Sequence, residues 1–307
     1  MSVRLGSRGS ALAVAQAELI RDRLAALGEE VEIVTIRTSG DERGGGAPAP
    51  VTEDKARFVK EIEEALLDGR IDLAVHSAKD VPAVLPDGLA LVGVPERIDP
   101  RDAVCGGPAS LGDLPEGAVV GTASLRRRAQ LLALRPDLQV REVRGNVDTR
   151  LRRLAGGDYD ALVLATAGLQ RLGHDAGAAI PTDEMVPSPG QGSLALEARE
   201  EDERIAELAV DLTDRDALIA LTAERALVLG LNASCHTPVG AFARLDEGRL
   251  RLDGFAGTPD GAVWVRDTLD EDPLEPAALG LAVAERMLGA GAAEILDTAA
   301  QIDRAEG

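Results

Sequence analysis

The chain has 307 residues, a formal net charge of −20, a hydrophobic content of 45% and only 2% aromatic residues. That length exceeds one ordinary domain of roughly 100–200 residues, and the apolar fraction suffices for packed cores built from Leu, Val, Ile and Ala. The acidity excludes a nucleic-acid coat or a general attraction to anionic membranes, and no apolar run reaches the ~20 residues that a bilayer span needs.

VRLG (3–6) predicts a strand, and Ser10 to Leu27 a helix closed by Gly28. VEIVTIR (31–37) is a β-branched strand. Residues 40–57, GDERGGGAPAPVTEDKAR, combine Gly, Pro and charge and predict a mobile loop. Phe58 to Leu67 predicts a helix, and IDLAV (71–75) a strand. After a break near PERIDPRD (95–102) the pattern repeats. A strand over Ala118–Gly121, a helix over Leu125–Leu134, a strand LQVREV (138–143), a helix over Thr149–Leu154 and a strand YDALVLA (159–165) follow. Strands alternating with helices indicate βαβ units and largely parallel sheets, here in two similar lobes. A long helical stretch runs from Glu201 to Leu229. The tail changes character: Arg249–Ala256 and Ala262–Thr268 predict antiparallel strands joined through Thr258-Pro259-Asp260-Gly261, and Pro276–Gly289 an amphipathic helix. That is a small α+β domain.

Other features bear on compartment. The opening MSVRLGSRGS has no apolar stretch behind a basic start, so no secretory signal is expected. The cysteines are Cys105 and Cys235; a chain this long needs no disulfide staple, and a reducing cytoplasm is expected. Lys55, Lys60 and Lys79 are the only lysines among 33 basic residues. An acid excess with so little lysine predicts adaptation to a salt-rich cytosol.

In open α/β sheets, ligands bind beyond the carboxyl ends of the strands, often at helix N-termini. The residues after the predicted strands form a series: Ser7, Arg8 and Ser10; His76, Ser77, Lys79 and Asp80; Thr122, Ser124, Arg126 and Arg127; Arg144, Asn146 and Arg150; Thr166 and Arg171. A small hydroxyl or amide followed by cations recurs five times, and Ser10, Ser124 and Thr149 stand where helix N-caps are expected. Taken singly, each is equally an ordinary surface arginine or cap. Taken together they describe a site for a polyanion whose charges spread across two lobes, with arginine forks suited to carboxylates.

Asp80 is the one acid in this series. It either pairs with Lys79 or serves to orient an N–H, move a proton or stabilise a transient cation. Cys235 lies in LNASCHTPVGA, between the long helix and the tail. A Cys beside a His suits a nucleophile, a metal ligand or a packed thiol; no second Cys/His cluster supports zinc, so no metal is expected. Cys105 beside Gly106-Gly107 has no polar support and predicts a structural thiol. His76 suits a cleft hydrogen bond or a satisfied structural histidine. Trp264 predicts a core position.

AVHSAKDVP, GTASLRRR, REVRGNVDTR and SCHTPVGA, with AGLQRLG (167–173) and PSPGQGSLALE (187–197), occur in this order along nearly the whole chain. In this the sequence resembles the porphobilinogen deaminase (hydroxymethylbilane synthase) family. The resemblance implies two periplasmic-binding-protein-like α/β lobes plus a small C-terminal α+β domain. The implied boundaries are 1–96 with 195–214 for the first domain, 97–194 for the second and 215–307 for the third. It implies an enzyme that joins four porphobilinogens head to tail, releases ammonia and frees hydroxymethylbilane by hydrolysis. It further implies a dipyrromethane cofactor held by a thioether, with Cys235 as the matching anchor and Asp80 as the catalytic aspartate. Lys79, Ser77, Thr122, Ser124, Arg126, Arg127, Arg144 and Arg150 match cofactor-holding positions, and Arg8, Ser10, Arg171 and Lys55 match substrate-holding ones. A cytoplasmic monomer that binds neither nucleic acid nor membrane is implied. Departures from the family pattern are the loop VTEDKARF (51–58), in which a second lysine has no counterpart, Asp148 in place of a small residue, and Ala233-Ser234 in place of a glycine pair. A non-catalytic, two-lobed polycarboxylate binder also explains the arginines but gives Cys235 and the tail no task. A Cys-His acyl hydrolase is the weaker rival.

Overall fold

The computed structural model describes residues 2–36, 51–234 and 237–306. In chain order the elements are β1 (Val3–Arg8), α1 (Ala11–Ala26), β2 (Val31–Ile36), α2 (Val51–Leu67), β3 (Leu73–Ser77), β4 (Leu89–Gly93), β5 (Asp102–Cys105), β6 (Val119–Gly121), α3 (Leu125–Leu134), β7 (Gln139–Arg141), α4 (Val147–Ala155), β8 (Ala161–Ala165), α5 (Thr166–Arg171) and β9 (Ala178–Ala179). Then come β10 (Leu194–Arg199), α6 (Glu203–Leu212), α7 (Arg215–Gly230), β11 (Val239–Asp246), β12 (Arg249–Gly257), β13 (Trp264–Glu271), α8 (Pro276–Gly289) and α9 (Ala292–Glu306). None of these helices is long and apolar enough to cross a membrane, among the described residues.

The chain divides into two compact units, Met1–Ile98 with Ser193–Leu218, and Asp99–Gly192 with Ile219–Gly307. The first holds a five-stranded sheet ordered β2-β1-β3-β10-β4. Strand β1 runs parallel to β2 and β3, while β10 is antiparallel to both β3 and β4. The sheet is therefore mixed, not largely parallel as the βαβ pattern predicts, because LALEAR (194–199) enters it from the opposite direction. Side chains alternate across it: Val3, Leu5, Leu73, Val75, Leu194 and Leu196 pack with α1 and α6, and Ala74 and Ile71 pack with Ile62 and Leu66 of α2.

The second unit holds two sheets. One is ordered β7-β6-β8-β5-β9, with β6 parallel to β7 and β8, and β5 antiparallel to β8 and β9. The other is the antiparallel meander β11-β12-β13, whose inner face packs Leu250 and Leu252 against Leu227, Val283 and Met287 of α7 and α8. The overall class is thus mixed α/β, two sheet-and-helix lobes and a small C-terminal three-stranded sheet with helices, as expected.

Several boundaries differ from expectation. Helix α2 begins at Val51, not at Phe58: the glycines and prolines end at Pro50, and VTEDKAR contains neither. Residues 40–50 of the predicted loop lie outside the described residues. The long helix is two, because Thr213 and Asp214 leave helical geometry and Asp214 Oδ1 accepts the N–H of Ala217 at 2.7 Å to start α7 afresh. Thr149 lies inside α4, whose N-cap position is Asn146 following Gly145 in the left-handed region (φ +108°). Trp264 is exposed and stacks on Phe255 with ring centroids 6.5 Å apart.

Candidate functional site

In the first unit, β1 carries Ser7 and Arg8, and Ser10 caps α1 by accepting the N–H of Ala13 at 3.3 Å. Because β1 extends to Arg8, Ser7 and Arg8 lie within the strand and not beyond it. Strand β3 ends at Ser77, whose hydroxyl accepts a bond from Gln16 Nε2 at 2.8 Å. A single 3₁₀ turn, Ala78–Asp80, follows; Ala78 N donates to Ser193 O at 3.0 Å, which ties the turn to β10's approach. Lys79 and Asp80 are both partly exposed on this turn. His76 is buried behind it, with Nε2 2.9 Å from Glu197 Oε2. Lys55 lies in the first turns of α2.

In the second unit, the hydroxyl of buried Thr122 follows β6 and accepts the Ser124 N–H at 3.2 Å. Ser124 caps α3, its hydroxyl accepting the Arg127 N–H at 3.4 Å. The next turn sends Arg126 and Arg127 inward, to 4% and 6% exposure. Both meet Asp102, the fully buried first residue of β5: Arg126 Nη1 lies 2.8 Å from Oδ2, and Arg127 Nε and Nη2 lie 2.9 and 2.8 Å from Oδ1. Gln191 Nε2 donates to the same Oδ1 at 2.9 Å, and Arg126 Nη1 also reaches Val186 O at 2.7 Å. Burial alone would raise the Asp102 carboxyl, but the two guanidiniums hold it well below the usual carboxylate range. Sequence reasoning missed Asp102; the available signal was an acid opening the otherwise apolar strand DAVC, where a buried carboxylate requires a cation.

The remaining arginines differ among themselves. Arg144 is exposed and pairs with Glu142 at 2.7 Å. Arg150 is half-buried and donates to Gly145 O at 2.7 Å; burial, then the neighbouring charge of Arg127, pushes it down to about 10, against a smaller opposing effect of Glu142. Arg171 is also half-buried, donates to Gly192 O at 2.8 Å, and is pushed down to about 10 by burial. Its Nε is buried without a hydrogen-bond partner. Asp148, where the family has a small residue, faces His174 at 2.8 Å.

Cys235 lies outside the described residues. The chain leaves α7 through Asn232, which adopts a left-handed conformation (φ +50°), with Ala233 N donating to Val228 O at 3.0 Å. It is described again from Thr237, whose hydroxyl accepts the Ser234 N–H at 2.5 Å. Cys105 is buried at 1% exposure, and burial pushes its thiol up to about 11. Native protein treated with iodoacetamide at pH 8 is expected to carry no label at Cys105, and unfolded protein to carry one, as read by peptide mass spectrometry.

Removing the Asp102 charge tests the arginine clamp. Asp102→Asn leaves two buried guanidiniums without their counter-ion and is expected to cost about 3 kcal/mol in urea unfolding. A loss below about 1 kcal/mol contradicts the clamp. Because this carboxyl is depressed in the fold, its stabilisation is present above the ordinary carboxylate range and is lost as pH falls below it.

Residues 3–207 match the family described as porphobilinogen deaminase, dipyromethane cofactor binding domain, and residues 218–289 match porphobilinogen deaminase, C-terminal domain. A porphobilinogen deaminase from Thermus thermophilus is 49% identical over 300 residues, covering 96% of this chain and 98% of that protein. Those from Roseiflexus sp. and Deinococcus radiodurans are 47% and 45% identical over 95% and 96% of this chain and 97% and 98% of their own lengths.

Proposed function

This chain belongs to the porphobilinogen deaminase family, and from that membership we propose how its own residues divide the work. The enzyme joins four porphobilinogens head to tail with loss of ammonia, releases hydroxymethylbilane by hydrolysis, and uses a dipyrromethane cofactor. When bound, that cofactor supplies the tethered pyrrole end to which incoming units are joined.

The second unit suits such a group. Arg126, Arg127 and Arg150 stand together against one fully buried acid, Asp102, and Arg150 and Arg171 spend their described hydrogen bonds on backbone carbonyls. With the two buried guanidiniums and the half-buried Arg150 against that one acid, this cluster carries more positive than negative charge and suits carboxylates from outside the chain. This excess is the observation that carries the assignment. Arg126, Arg127, Arg144 and Arg150, with Lys79, Ser77, Thr122 and Ser124, would hold the acetate and propionate groups of a dipyrromethane joined to the Cys235 sulfur. Arg8, Ser10, Lys55 and Arg171 would receive the incoming porphobilinogen.

Asp80 carries the chemistry in this reading. A carboxylate beside the pyrrole N–H orients the ring, stabilises the positive charge left on the substrate as ammonia departs, and assists the accompanying proton transfers. Division of the chain at 1–96 with 195–214, 97–194 and 215–307 belongs to the same proposal, as does a cytoplasmic monomer. The test is direct: purified protein incubated with porphobilinogen should release ammonia and yield a linear tetrapyrrole, and its intact mass should exceed the sequence by two linked pyrroles. A bare-chain mass in active protein would refute the thioether.

The acid excess adds a further expectation. Turnover and melting temperature should both rise from low to molar KCl, as salt screens repulsion within a chain of net charge −20. Maximal stability at low salt would contradict a salt-adapted surface.

A further inference from the structure

Between α2 and its sheet lies an aliphatic layer that includes Ile36, Ile62, Leu66, Ile71 and Leu89. Three ionisable groups are set into it. Alternation along β3 sends Leu73 and Val75 to the α1 face, and Ala74 with His76 to the α2 face. Along β10, Leu194, Leu196 and Ala198 face α1, which leaves Glu197 on the α2 face. Register then brings the groups close: His76 lies opposite Ala195, Glu197 opposite Ala74, and His76 Nε2 is 2.9 Å from Glu197 Oε2. Glu63 enters the same layer from α2. Glu63, His76 and Glu197 are 7%, 6% and 0% exposed.

Two carboxylates and an imidazole in an aliphatic layer are costly to keep. Their place in the fold suggests the return. Helix α2 packs against the Ala78–Asp80 turn, and His76 immediately precedes Ser77. We propose that Glu63 and Glu197 are positioning residues for the deaminase reaction: Glu197 holds His76 from behind β3, and the two acids set negative charge behind the Ser77–Asp80 turn, favouring the cation that forms on the substrate as ammonia leaves. The proposal rests on the assignment of that cation to Asp80.

Glu63 is the group that titrates in the working range. Burial first, then the charge of Glu197, pushes its carboxyl up to about 7, against a smaller opposing effect of His76; Glu64 of the same helix adds a little. The elements packed on α2 bring Arg4 and Arg8 from β1, Glu32 from β2, His76 from β3, Lys79 and Asp80 from the turn, and Glu197 and Arg199 from β10, while β4 brings no charged group. Among these, Glu197 and His76 are the ones whose charges act on Glu63. The sign follows. Because the folded carboxyl titrates above the ordinary glutamate range, the stability it contributes is full below that range and is lost as pH rises towards 7. Turnover moves the other way, rising as the negative charge appears. A purely structural role has no such opposition.

The experiment compares wild type with Glu63→Gln, which is permanently neutral and nearly isosteric, from pH 5.5 to 9. Wild-type kcat should climb roughly 3- to 10-fold through neutrality, the scale of one added charge at partly screened range. Glu63→Gln should lose that climb, with KM changed less than about twofold and kcat at pH 8 lowered towards the wild-type acid plateau. The melting temperature of Glu63→Gln relative to wild type should increase between pH 5 and 8. A variant that keeps the wild-type climb overturns the positioning role, and a melting difference independent of pH overturns the titration. Asp80→Asn assayed alongside keeps the two readings apart: if it turns over normally, the Asp80 assignment fails whatever Glu63→Gln does.

Discussion

Asp80→Asn is expected to give a folded protein that retains its cofactor and turns over porphobilinogen about 10²- to 10⁴-fold more slowly. The change is nearly isosteric and falls on a partly exposed turn, so packing has little to lose. An amide still accepts a hydrogen bond from a pyrrole N–H, but it neither balances a cation nor takes up a proton. The loss should therefore appear in kcat more than in KM. Ammonia release measures the rate, and intact mass shows that the cofactor is still attached. Turnover within a few-fold of wild type would remove Asp80 from the mechanism.

Cys235→Ala is expected to abolish turnover and to bring the intact mass down to that of the bare chain. With no sulfur there is no thioether, and the growing chain has no tether. The substitution should also lower the melting temperature, because the cofactor carboxylates proposed to meet Arg126, Arg127 and Arg150 would no longer be there to favour the folded state. If the mass increment survives in Cys235→Ala, the anchor lies elsewhere. If it is lost while turnover persists, a tethered primer is not needed.

Local physics made much of the fold legible. The bounds of α3 and α8 match expectation residue for residue, and Ser10 and Ser124 cap their helices, because caps, periodicity and a proline at the first helical position act within one turn. Strands β4, β5, β9, β10 and β11 were not anticipated. All but β11, which pairs with the adjacent β12, are fixed by partners far along the chain: β10 is defined by its pairing with β3 and β4, more than a hundred residues upstream, and nothing in LALEAR reveals that neighbourhood. The site shows the same division. Arginines after strand ends were visible, but whether a guanidinium meets a ligand or an internal acid was not. Arg126 and Arg127 lie on Asp102, whereas Arg144 pairs with Glu142 at the surface; position after a strand end does not separate these cases. The assignment of Cys235 as anchor rests on its motif and not on any physical signal, since a thiol beside a histidine suits several roles.

The turn Thr258–Gly261 between β12 and β13 presses on the last turn of the arginine-bearing helix α3. A methyl group placed on Gly261 would stand 2.4 Å from the Ala133 nitrogen and 2.5 Å from the Leu132 carbonyl carbon, and the residue's φ of +71° disfavours any larger side chain as well. Backbone meets backbone there, with no flexible side chain to absorb a misfit. The small C-terminal sheet thus sets a hard stop on how α3 can slide, and an added atom at that tip would act as a wedge felt less than two turns away by the guanidiniums. A lesion at so remote a glycine would then show itself as poorly gripped ligand, although nothing at the site had been altered.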